Sequence, residues 1–179
     1  MKESNEKSRR PGAPKGAAAT GNPGGMALQK EQQRRALHYT ALFWFLGAAG
    51  YLRGMGLNPE AWVASCGRVA ARSSLLLSQA GTAAGVLREL AVVRRSVPGA
   101  AFQAAHVSRD RAEADLTCWA EGYHDLFQAF KLPWEERCRL CQSFYRAIGG
   151  PLGVEICVVK GAETCRMVVS KRQGGRRVA

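Results

Sequence analysis

The sequence predicts an α+β fold, with N-terminal helices packed on a small antiparallel sheet and a Cys-Gly-Cys β-hairpin closing the chain. Three observations predict it. Helical periodicity runs through residues 27–95. Strand-like stretches come in two pairs after residue 100. Each pair is joined by a short polar or glycine-bearing link. Strands paired this late do not make a parallel βαβ sheet. A chain of 179 residues is long enough for one domain with a real core.

Residues 1–26 are Gly, Ala, Pro, Lys and Ser without periodicity, and are expected to be a disordered basic tail. Met26 follows Gly-Gly and opens a better helical sequence, so Met1 and Met26 both stand as starts. The domain is expected over 27–170. Its first helix covers 27–53, where Ala36 to Leu52 carries no charged residue and includes Phe43, Trp44 and Phe45. A membrane span needs ~20 apolar residues. This stretch sits at the short limit and holds His38, Tyr39, Thr40 and two glycines, so it reads as a helix buried against the domain. Asn58-Pro59-Glu60 is a cap, a proline at the first helical position and an acid in the first turn, starting a helix to about Ser78. Thr82 caps another to about Arg95, ended by Pro98-Gly99.

Phe102, Ala104 and His106 alternate as in a strand, and Glu113 to Cys118 forms a second across the polar turn at Ser108-Arg109-Asp110-Arg111. A short helix is expected from Trp119 to Phe130, with Tyr123, Leu126, Phe127 and Phe130 along one side. Another starts at Leu132-Pro133-Trp134-Glu135-Glu136 and runs to about Ile148, where Gly149-Gly150-Pro151 stops it. The closing strands are 152–159 and 163–170, and 171–179 is a basic tail.

The net charge of +12 belongs mostly to the ends: +5 in residues 1–36, +4 in 170–179 and +3 in the long middle. Such tails read as solvated segments, so neither nucleic acid nor membrane is expected as a partner. No apolar signal region opens the chain, which points to a cytoplasmic protein with reduced thiols. The six cysteines then read as ligands, catalysts or core residues. No phosphate-cradling glycine loop or serine nucleophile elbow is present.

In the final hairpin, a tight turn at Gly161 places Cys157 and Cys165 opposite each other, and strand alternation puts Glu155 on the face of Cys157. Cys138 and Cys141 share a helix face upstream. Together these supply enough donors for a tetrahedral zinc site, although the spacing is not that of a zinc finger. Their other reading is as small buried hydrophobes. Cys118 is a candidate nucleophile, with His124 or His106 as base and Asp115 or Glu121 to orient it; its other reading is a core residue. The many aromatic residues are expected to be core, or the walls of a pocket for a hydrophobic small molecule.

Cys157-x3-Gly161-x3-Cys165-x-Met167, preceded by Glu155, resembles the signature of the 4-vinyl reductase domain family, which includes bacteriochlorophyll 4-vinyl reductase-like members. The segment Cys141-Gln-Ser-Phe144-Tyr145-Arg-Ala-Ile148 resembles the helix before that family's hairpin, and the likeness spans about residues 112–170. It implies an apolar pocket for a hydrophobic or tetrapyrrole-like ligand. It also implies a zinc held by Cys157 and Cys165, with Glu155 near the family's acid and Cys138 or Cys141 as the upstream thiol. Leu116-Thr117-Cys118 followed by Phe130-Lys-Leu-Pro133 more loosely resembles the 2-aminothiazoline-4-carboxylate hydrolase-like family, which implies a hydrolase with Cys118 as its catalytic residue. A third reading is a regulatory or scaffold domain that binds through its basic tails. A homodimer through the long apolar first helix is a further expectation.

Overall fold

The computed structural model describes residues 23–95, 97, 101–161 and 164–172. Its elements are α1 (Pro23–Gly54), α2 (Pro59–Ser73), α3 (Leu75–Ser78), α4 (Ala83–Arg95), β1 (Phe102–Val107), β2 (Arg111–Leu116), α5 (His124–Ala129), α6 (Glu136–Gly149), β3 (Val154–Lys160) and β4 (Cys165–Lys171). The fold is α+β, helices first. The rest of the expected basic tails, 1–22 and 173–179, lies outside the described residues.

Local chemistry places the helix starts. Asn58 accepts a hydrogen bond from the Glu60 backbone N–H at 2.9 Å, with Pro59 at the first helical position. The Thr82 hydroxyl accepts from the Gly85 N–H at 3.0 Å and caps α4. The helix expected to run to Ser78 breaks at Ser74, whose extended backbone separates α2 from α3. The helix expected from Trp119 is shorter too. Gly122 stands at φ +79°, outside the helical region, so 119–122 are turns and α5 begins at His124.

The sheet is antiparallel in the order β1-β2-β4-β3. One face is apolar: Ala112, Ala114 and Leu116 from β2, Met167 and Val169 from β4, and Val154, Ile156 and Val158 from β3. Helices α4 and α6 cover that face, and α2 packs along the far side of α6. Each large side chain fully buried there contributes roughly 1.5–3 kcal/mol. The other face carries polar pairs such as Asp115 with Arg166, whose Nε lies 2.9 Å from the carboxylate. The Arg166 hydrogen bond holds the exposed Asp115 carboxyl below its ordinary value. A second apolar cluster joins α1 to α5 through Leu42, Leu46, Ala49, Leu126 and Phe127. No helix among the described residues is long and apolar enough to cross a membrane.

The closing hairpin departs from the expected register. Its last pair is Lys160 with Cys165, and Cys157 pairs with Val168. The turn is therefore not centred on Gly161. It spans 161–164, and the Gly161 N–H donates to the Thr164 carbonyl at 2.8 Å. Moving the centre from Gly161 to a four-residue link shifts the pairing by an odd number of positions, which reverses the face of one strand relative to the other. Cys165 points to the covered face with Met167 and Val169. Cys157 and Glu155 lie exposed on the opposite face.

Candidate functional site

Four of the six cysteines meet at the α6 end of the sheet. Cys138 and Cys141 stand one helical turn apart on α6. Cys165 is the first residue of β4, paired with Leu116 on β2, and Cys118 lies two residues past Leu116. These four thiols, with Trp119, Arg137 and Lys160 among their neighbours, line one cleft. Its free volume is about 10 Å³. That is room for one water-sized or ion-sized occupant, not for an organic substrate.

Electrostatics mark the same cluster. Burial pushes the Cys141 thiol far up, and Cys165, Cys118 and Cys138 add to the shift against the opposing charge of Arg94. Burial also raises Cys165, again reinforced by Cys118 and Cys138 and opposed by Arg137 and Arg94. Thiolates are thus disfavoured there until a cation offsets them.

The zinc expected at the hairpin does not fit the hairpin residues, because Cys157 and Glu155 face away from Cys165. The cleft set fits in kind and number: Cys118, Cys138, Cys141 and Cys165 are four soft donors, and structural zinc takes four. Among the described residues, no group of three or more His, Cys, Asp or Glu side chains stands in a geometry that could hold a metal ion. The four cysteines line one cleft without being gathered closely enough to hold an ion as they stand. All six cysteines are free.

Cys118, the expected nucleophile, belongs to this cleft. Its expected bases are engaged elsewhere: His124 packs on Trp134 at 4.8 Å between ring centroids, and His106 lies exposed on β1. Asp115 pairs with Arg166 on the open face, and Glu121 is exposed.

Behind the thiols lies a larger cavity of about 280 Å³ between α1, α4 and α6. Leu42, Phe45, Leu140 and Phe144 give it apolar walls, and Cys141 and Trp119 line both spaces. His38, Arg94 and Tyr145 bring polar atoms to it. Burial lowers the His38 pKa, the Arg94 charge lowers it further, and a backbone hydrogen bond at Trp119 opposes both. The Tyr145 phenol is pushed up to about 12, chiefly by burial and then by Cys141, with Arg94 opposing through its charge and a hydrogen bond. Sequence reasoning missed Arg94 and His38 as site residues, while Trp119 belongs to the aromatic set read as core or pocket wall.

No family model, no curated protein and no solved structure matches the chain.

Proposed function

We propose that this chain is a small-molecule-binding domain of the 4-vinyl-reductase type, with its ligand seated between α1, α4 and α6. The observation that carries the reading is the apolar cavity of about 280 Å³ lined by Leu42, Phe45, Leu140 and Phe144. Ligand pockets start near ~300 Å³, so this volume favours a small apolar molecule over a tetrapyrrole-sized one. The test uses 2-naphthol, with tryptophan fluorescence as the readout. Leu42→Trp places bulk in the cavity and is expected to weaken binding at least about tenfold, a loss of ~1.4 kcal/mol. Equal affinity in the two proteins contradicts the site.

The neighbouring cleft is the proposed place for one structural zinc, held by Cys118, Cys138, Cys141 and Cys165. What supports this is that four thiols line one ion-sized space. The metal would tie the end of β2 and the start of β4 to α6. A cysteine hydrolase at Cys118 has less support, since its substrate would have to enter a space of about 10 Å³.

A second copy of the chain is the proposed partner. Leu37, Trp44 and Tyr51 recur every seven residues on α1 and stay 71%, 71% and 69% exposed. Apolar residues at heptad spacing form a seam that another helix covers. Sedimentation is expected to show a dimer that Trp44→Glu converts to monomer; a monomeric parent protein contradicts this.

A further inference from the structure

Among the described residues, Arg94 is a cation without an anion. It sits at the end of α4 and is only 4% exposed. Its Nη2 donates to the Thr117 carbonyl, and it hydrogen-bonds the Tyr145 hydroxyl. Among the described residues its Nε has no partner and no carboxylate forms an ion pair with it. Buried arginines are almost always paired, because taking an unpaired charge out of water costs several kcal/mol. Two residues that line the same cavity carry further buried nitrogens without partners among the described residues: Trp119 at Nε1 and His38 at Nε2. Three residues on the wall of one apolar space each keep an unpartnered buried nitrogen, so hydrogen-bonding capacity around that space is unfilled, which favours a ligand with a polar group.

We propose that the ligand of this cavity is a small apolar monocarboxylate, its carboxylate held by Arg94 and the indole N–H of Trp119 and its hydrocarbon body lying against Leu42, Phe45 and Phe144. The proposal rests on the ligand-binding reading above and adds the chemical class. One buried guanidinium balances one negative charge, which favours a monoanion over a phosphate dianion. An inorganic monoanion would leave the apolar volume empty. A carboxylate presents two acceptor oxygens to two separate N–H donors, and a hydrogen bond to a charged group is the stronger kind.

The experiment compares 2-naphthoate with the uncharged, nearly isosteric 2-naphthamide in the full chain by calorimetry. The parent protein is expected to bind the carboxylate at least about tenfold more tightly, the selectivity of one charged hydrogen bond. Arg94→Gln is expected to abolish that preference, weakening the carboxylate at least about tenfold more than the amide, which loses only a neutral-acceptor hydrogen bond. Trp119→Phe keeps an aromatic ring and removes the donor, and it is expected to weaken the carboxylate more than the amide. Should Arg94→Gln fail to fold, the parent selectivity and Trp119→Phe decide. Equal binding of naphthoate and naphthamide to the parent overturns the carboxylate assignment and leaves the apolar site standing. Binding of neither overturns both.

Discussion

Gly67→Leu is expected to destabilise the protein by more than about 3 kcal/mol, beyond the usual range for overpacking. Gly67 faces α6 at the closest approach of α2. A Cβ there would stand 2.4 Å from the Phe144 carbonyl oxygen and 3.1 Å from the Ala147 Cβ. Backbone oxygen cannot rotate away, so the helices must part. The competing effect is helix propensity, worth about 1 kcal/mol in favour of alanine over glycine. For Gly67→Ala the clash should still win, leaving a net loss of about 1–2 kcal/mol. Gly54, at the end of α1, has nothing within 4 Å of its Cβ position, so Gly54→Ala is expected to be neutral or slightly stabilising. Urea denaturation of the three variants checks both signs. The consequence reaches function, because α6 carries Cys138, Cys141, Phe144 and Tyr145 to the two spaces described above.

The second large effect separates the thiols. Cys165→Ser should drop zinc from about one per chain to near zero, while Cys157→Ser, altered on the open face, should leave it intact. A loss of even ~3 kcal/mol with the metal lowers Tm by roughly 6–12 °C in a chain of this size. Chelation should lower Tm in the parent and in Cys157→Ser by the same amount and do nothing to Cys165→Ser. Loading should also release protons from Cys141 and Cys165, whose thiols burial keeps protonated, so acid should weaken the site. Equal zinc in the parent and in Cys165→Ser would place the metal elsewhere. Zinc lost only on changing Cys157 would restore the hairpin set.

Features decided within a few residues were legible in the sequence. Asn58 and Thr82 cap the helices they were expected to cap, because an N-cap bond closes over two or three residues. The paired late strands likewise follow from alternation and turn chemistry. The hairpin faces were not legible, because the loop's length and centre set the register. A symmetric Cys-Gly-Cys spacing looks decisive while a four-residue link reverses its outcome. Membership of the thiol cluster needed tertiary structure: Cys118 joins Cys165 only because β2 pairs with β4 across some fifty intervening positions.

Arg94 was visible and went unread. Ala83, Val86, Leu87, Leu90 and Ala91 form the buried stripe of α4, and Arg94 continues it at helical spacing. A charge on the core-facing stripe of an amphipathic helix needs a partner or a purpose. His38 gave no comparable sign, and Trp119 only that of one aromatic among many. Each is an ordinary aromatic in an apolar stretch until the fold brings it beside the cavity.

The central claim is that the space between α1, α4 and α6 holds a small apolar ligand. Native mass spectrometry of the full chain, purified from the cells that make it, tests this most directly. The account predicts one added small organic mass per chain in the parent and none in Leu42→Trp. Parent protein carrying no such mass, or a mass retained unchanged when Leu42→Trp fills the cavity, would contradict it.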